Sequence, residues 1–406
     1  MKTAGAMAGQ LPRTVVVLGL VSFFTDLSSE MIYPLLPVFL AGVLGAGPAI
    51  LGLIEGVAET TASVLKLASG YWADRLKKRK GLVLLGYGIS SIARPLVGLA
   101  LSWPFVLVLR FTDRVGKGIR SSPRDALIAD AAPPERRGEA YGFHRSMDHA
   151  GAVAGPLVAA LLMGAFGMSM RHVFLWAALP GVVVIALILA GVRETPKTAA
   201  TAKAAKAAKT ESGETGGLFT PDFKRLLAAL AIFTLGNSTD AFLLLRLSWA
   251  GVSPQGVAFM WSAFHLVKMA STYLGGRVSD RLGRKGMILS GWILYAAVYA
   301  AMGVIDNTVG VITIFLIYGL YYGLTEPCEK AWVADLVPPN ARGRAFGLYN
   351  GVVGITALPA SILFGLLSET LGMPAAFFTG AGLAVAASFL LAGVAAPKNG
   401  VCEIAA

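Results

Sequence analysis

The sequence predicts an all-α membrane protein of twelve transmembrane helices, arranged as two pseudo-symmetric six-helix bundles. Three observations carry this. Hydrophobic residues make up 55% of the chain and charged ones only 14%, against roughly 25% charged in a soluble domain. The apolar residues gather in runs of about 20, enough to cross a hydrocarbon core of roughly 30 Å. The chain also repeats itself. ADAAPPERRGEAYG at 129–142 matches ADLVPPNARGRAFG at 334–347, and Ala129/Ala334, Asp130/Asp335, Pro133/Pro338, Arg137/Arg342 and Gly142/Gly347 share one offset of 205. GYWADRL at 70–76 pairs with GRVSDRL at 276–282, and Thr25-Asp26 more weakly with Thr239-Asp240. A half-chain repeat in so apolar a sequence is the mark of a duplicated membrane bundle.

The first bundle, residues 1–192, holds spans at 13–41, 49–73, 81–101, 104–127, 138–166 and 172–192. The second, 221–406, holds spans at 222–248, 255–276, 286–304, 309–333, 343–368 and 373–395. Between them, 193–220 contains the Ala/Lys-rich stretch RETPKTAATAKAAKAAKTESGETGG, too charged to span. It reads as a flexible tether or as a basic helix lying on anionic lipid.

The loops orient the spans. Lys77, Lys78, Arg79 and Lys80, then Arg136 and Arg137, then Arg281, Arg284 and Lys285, then Arg342 and Arg344 all fall on one side. The loops of the other side carry Arg171 alone. Basic loops stay inside, so both termini and the linker are expected in the cytoplasm of a bacterial-type inner membrane. The first apolar run lacks a small-residue cleavage site and leads into further spans, so no removable leader is expected.

Composition also excludes partners. A net charge of +12 suggests nucleic acid in a soluble protein, but these cations sit in short loop clusters. Two cysteines, Cys328 and Cys402, and four scattered histidines give no disulfide framework and no metal-ligand spacing. No cofactor or metal is expected. No nucleophile–base motif and no Gly-rich phosphate loop is present, so neither an enzyme nor an ATP-driven pump is expected from this chain.

At GYWADRLKKRKG the sequence resembles the major facilitator superfamily, whose loop between helices 2 and 3 carries Gly-x-x-x-Asp-Arg and a basic run. The matching positions are Gly70, Asp74 and Arg75, with a second copy at Gly276, Asp280 and Arg281. The resemblance implies a conformational latch between the halves; plain topological signalling by the positive loops is the other reading. Two further stretches are similar to the drug–proton antiporter branch. Arg114-Val115-Gly116-Lys117-Gly118 resembles its helix 4 Arg-x-x-Gln-Gly, with Lys117 in place of Gln, and Gly151-x-x-x-Gly155-Pro156 resembles its helix 5 exporter motif. Tyr33-Pro34-Leu35-Leu36-Pro37 resembles its helix 1 Pro-x-x-Pro ending.

Charges inside spans are costly and are functional candidates by default. Asp26 and Glu30 stand four apart on one face of span 1, and Glu55 and Glu59 repeat that spacing in span 2. Arg110, Asp113, Arg114 and Lys117 form a stripe on span 4. By resemblance, helices 1, 4, 7 and 10 line a central cavity. Asp26, Glu30, Glu59, Arg110, Asp113, Arg114, Lys117, Asp240 and Arg246 are therefore the candidates for proton coupling and substrate contact. Desolvation favours a neutral carboxylate and a nearby Arg a charged one, so an acid near mid-span is poised to exchange a proton. Permanent ion pairs that seal the bundle are the competing account, and Arg114 is the expected partner of Asp26. Tyr321 and Tyr322 are candidate lining aromatics.

These features point to a secondary active transporter exporting a small organic molecule or ion against protons by alternating access. The alternative is a proton-coupled importer of an anionic or zwitterionic solute or a metal chelate. A non-transporting sensor is disfavoured because no appended signalling domain exists. Both halves lie in one chain, so a monomer is expected.

Overall fold

A computed structural model describes residues 11–75, 79–133, 137–192, 220–337 and 342–394; side chains are not described at 70–75, 137–139, 273–282, 327, 330, 331, 334, 335 and 342–344. The linker at 193–219 lies outside the described residues. Everything regular in the described residues is helix, grouped into twelve rods. The first is α1 (Arg13–Glu30), a 3-10 turn (Tyr33–Leu35) and α2 (Leu36–Gly42); the second is α3 (Pro48–Arg75). α4 (Lys80–Leu96) and its 3-10 continuation (Val97–Leu99), α5 (Trp103–Ala131) and α6 (Arg137–Gly164) follow. The sixth rod joins α7 (Met170–Trp176) to α8 (Ala178–Gly191). The seventh joins α9 (Pro221–Gly236) to α10 (Ala241–Trp249), and α11 (Pro254–Leu282), α12 (Arg284–Val304), α13 (Thr308–Asp335), α14 (Arg342–Thr370) and α15 (Met373–Ala392) complete the set.

The breaks have chemical causes. Pro34 and Pro37 lack N–H donors, so α1 stops at Glu30 and its rod continues through a 3-10 turn. In the seventh rod, Asn237-Ser238-Thr239-Asp240 interrupts the helix, as side chains that compete for backbone bonds tend to do. Ten rods are long and apolar enough to cross a membrane by length and composition. Among the described residues α5 and α11 are the two that are not, because the first carries the stripe from Arg110 to Arg124 and the second carries Gln255, His265 and Lys268. Both pack against other rods: α5 against α3 and α4, α11 against α13 and α6.

Small residues set how closely rods approach. A Cβ on Gly151 would stand 2.4 Å from the Phe23 carbonyl oxygen, and one on Gly155 2.7 Å from that of Leu27. The Gly-x-x-x-Gly of α6 thus lets α1 lie backbone to backbone against it. The two sets of six rods meet along α3–α14 and α6–α11. Gly52 touches the Ser361 carbonyl and Gly365 that of Pro48. Thr60 Oγ1 donates to the Gly354 carbonyl (2.8 Å), and Ser262 Oγ to that of Val153 (2.8 Å).

The end away from the basic loops is closed. There the Ala49 amide donates to Glu369 (3.0 Å), Trp261 Nε1 donates to Glu30 (2.7 Å), and the Tyr33 and Thr239 hydroxyls lie 3.3 Å apart. Aromatic packing fills the second half, with Phe233 stacked on Trp292 at 4.4 Å and Tyr295 on Tyr299 at 4.1 Å.

Candidate functional site

A cavity of about 630 Å³ lies between the halves, nearer the basic-loop end. Its charged wall comes from Asp26 on α1, Glu59 and Lys66 on α3, Lys117, Arg120 and Arg124 on α5, and Arg145 and Asp148 on α6. The other half contributes Phe346, Gly347, Asn350 and Val353 of α14, none of them charged. Of the sequence candidates, the structure brings Asp26, Glu59 and Lys117 together on this cavity. Among the described residues, no hydrogen bond or ion pair engages the Asp26 carboxylate, the Glu59 carboxylate or the Lys117 ammonium.

Other candidates are held in fixed pairs. Arg110 grips Glu55 from three directions: Nη2 lies 2.7 and 2.8 Å from its two oxygens and Nε 3.0 Å from one. Both side chains are buried. Arg94 Nε donates to Asp113 (2.9 Å) and its Nη1 to the Thr25 carbonyl (2.8 Å). That second bond anchors the α1 backbone beside Asp26. Arg114 lies with its Nε 3.8 Å from Asp113 and is not seated against Asp26. Asp113, the residue before it on α5, takes Arg114, while Lys117, one turn on, reaches the cavity. Glu30 accepts from Trp261 of the other half, at the closed end.

Asp148 of α6 also lies on the wall and is not among the candidates named from the sequence. Ser22, one turn from Asp26 on α1, donates a hydrogen bond to it. His144 Nδ1 lies 3.8 Å away and Arg145 3.5 Å away. Arg145 also lies 3.5 Å from Glu326 of α13, across the divide between halves. The packing of α1 on α6, at Gly19 against Phe143 and Met147 and at Gly151 against Phe23, brings Asp148 level with Ser22, and these contacts are long-range.

The second half holds a separate polar cluster. Asp240, at the break of the seventh rod, accepts from Tyr318 (2.8 Å) and from Tyr322 (3.0 Å). Lys268 Nζ sits 3.6 Å from the centre of the Tyr322 ring. Tyr322 thus binds an acid within the half, and Tyr321 packs on Phe233 with ring centres 5.9 Å apart. Arg246 is placed elsewhere than the cavity: it bonds the Ile305 carbonyl (2.6 Å) and Asp306 (2.7 Å). It lies almost two turns beyond Asp240 on α10, which runs toward the closed end. Gly70, Asp74 and Arg75 end α3, and Gly276, Asp280 and Arg281 end α11. Their side chains lie outside the described residues.

Two six-rod sets meeting around a charged cavity, closed at one end, are the architecture of a membrane transporter. The chain belongs to the Major Facilitator Superfamily, which it matches over residues 18–250 and 247–401. It is 32% identical over 391 residues to an MFS-type transporter of Methanocaldococcus jannaschii described as uncharacterised, covering 94% of this chain and 95% of that one. It is 25% identical over 367 residues to the multidrug resistance protein MdtH of Proteus mirabilis, covering 87% and 86%. Its fold is similar to that of a bacterial homolog of the human lysosomal transporter Spinster, solved inward-facing and occupied. The TM-score is 0.74 at 16% identity, over 93% of this chain and 95% of that one. The protein is a multi-pass membrane transporter and not an enzyme.

Proposed function

We propose that this transporter exports a small organic molecule or ion in exchange for protons, as a member of the drug–proton antiporter branch. It acts as a monomer in a bacterial-type inner membrane, with both termini and the 193–220 linker in the cytoplasm. The cavity then opens inward and the Trp261–Glu30 and Tyr33–Thr239 contacts close the outward path. The single observation that carries the reading is Asp26, a carboxylate on the cavity wall to which no fixed partner is bonded among the described residues. A proton gained or lost there changes the charge that the solute meets in the cavity, so binding of the two is linked, which is the condition for coupled transport. Asp148, hydrogen-bonded through Ser22 one turn away, gives the proton a second carboxylate toward the basic-loop end. Similarity to a multidrug resistance protein supports export.

A second reading, import of an anionic or zwitterionic solute together with protons, is favoured by the two lysines on the same cavity wall. Proteoliposomes with a pH dye inside, challenged with solutes of each charge class, separate the two. Export predicts proton movement opposite to the solute, and import predicts movement with it. In either case Asp26→Asn abolishes pH-driven accumulation while leaving solute binding. Normal pH-driven transport by Asp26→Asn would remove Asp26 from the mechanism, and Glu59 and Glu30 are then the next carboxylates to replace.

A further inference from the structure

Three of the five cations lining the cavity are already engaged. Arg120 donates to Ser90 Oγ (2.6 Å) and lies 4.5 Å from the centre of the Tyr87 ring. Arg124 grips Asp125 at 2.7 and 2.9 Å. Arg145 is shared between Asp148 and Glu326. Lys66 and Lys117 differ. Both are exposed on the cavity wall, and neither has an ion pair or side-chain hydrogen bond among the described residues.

The helix contact sets these two side by side. Gly118, next after Lys117, packs so closely on Leu65, next before Lys66, that a Cβ would stand 2.4 Å from the Leu65 Cβ. Ser69 Oγ donates to the Gly118 carbonyl (2.7 Å), and Ser122 Oγ to that of Lys66 (2.8 Å). These bonds lock α3 to α5 at this level, so the two lysines enter the lining of one cavity from adjacent backbones. Each ammonium is a compact point charge with three donors. Asp26 and Glu59 stand on the same wall, but neither is hydrogen-bonded or ion-paired to a lysine among the described residues, so an entering anion is the group that can bond both ammonium ions. From the other half, Phe346 and Val353 offer an uncharged, largely apolar surface for a carbon body.

We propose that Lys66 and Lys117 form an oxyanion-binding pair, and that the transported solutes are small organic acids whose carboxylate or phosphonate group sits between them. The proposal rests on this cavity being the substrate site and is independent of the direction of transport.

The test uses the full chain in lipid nanodiscs with Cys402→Ser and Asn350→Cys. Cys328 is fully buried and does not interfere. Alkylation of the new thiol by a water-soluble maleimide reports on the cavity, and phenylphosphonate and benzylammonium are the matched probes. Phenylphosphonate is expected to slow alkylation saturably, and benzylammonium to leave it unchanged. Lys66→Ala and Lys117→Ala should each raise the half-protecting concentration about tenfold, the loss of one charge-assisted bond. Lys66→Gln and Lys117→Gln, closer in size, should do the same if folding of the alanine forms suffers. Alkylation without protection by millimolar phenylphosphonate, or protection that the lysine substitutions leave intact, overturns the proposal. Protection by benzylammonium that Asp26→Asn removes also overturns it, while keeping the cavity as the substrate site. Failure of the thiol to react at all overturns the cavity reading and this proposal together.

Discussion

A carboxylate inside a membrane protein is answered either by a fixed cation or by whatever enters its cavity, and Glu55 and Asp26 are the two cases here. Glu55 is buried and held by three hydrogen bonds from Arg110. Removing one member of such a pair leaves the other charge stranded, at a cost of about 3–5 kcal/mol. Glu55→Ala is therefore expected to lower the unfolding temperature sharply in detergent and to reduce the folded yield. Asp26→Asn strands nothing and is expected to leave the unfolding temperature within a few degrees of the parent. A thermal unfolding series on the two variants checks this contrast; equal destabilisation would mean that Asp26 is also a structural ion pair. The sequence marked both acids as candidates by their place in spans. It did not separate them, because a pair is decided by which helix faces which. Arg110 and Lys117 lie on one stripe of α5, yet the first points to a buried acid and the second to the cavity.

At the scale of the element, α6 is the clearest case of a pattern with a mechanical meaning. Gly151 and Gly155 are one turn apart, and each faces an α1 carbonyl at a separation no side chain tolerates. Gly155→Val should push α1 from α6, at a cost of about 1–3 kcal/mol from overpacking. It should also shift Asp26 and Glu30, so pH-driven transport is expected to fall further than stability. Measuring both in one preparation checks the link; a stable variant with normal transport would break it. Such helix-bound motifs were legible because their spacing is a property of one helix. The break at 237–240 was not, since span 7 reads as one apolar run and the interruption lies in four small polar residues within it. Arg246 was misjudged for the same reason. Once the helix restarts at Ala241, that arginine belongs to the closed end. Asp148 and Lys66 depended on contacts between rods that no single run of sequence carries.

At the scale of the whole molecule, the membrane-bound, all-helical fold was legible because hydropathy and the half-chain repeat are summed over hundreds of residues. The cavity was legible only as a consequence of the family resemblance. Sidedness is open to a simple check. Thr201→Cys, in the linker, should resist a membrane-impermeant thiol reagent added to intact cells and react after lysis. Reaction in intact cells would invert the topology and put the cavity mouth outside. The central claim is that the closed end described here must open, and that Asp26 controls the change. Spin labels at Val43→Cys and Leu371→Cys, both exposed at that end on opposite halves, report the separation directly. In nanodiscs the parent is expected to give a short and a longer distance whose proportions change between acid and alkaline buffer, and Asp26→Asn is expected to give proportions that do not respond to pH. A single unchanging distance in the parent, or an undiminished pH response in Asp26→Asn, would contradict the account.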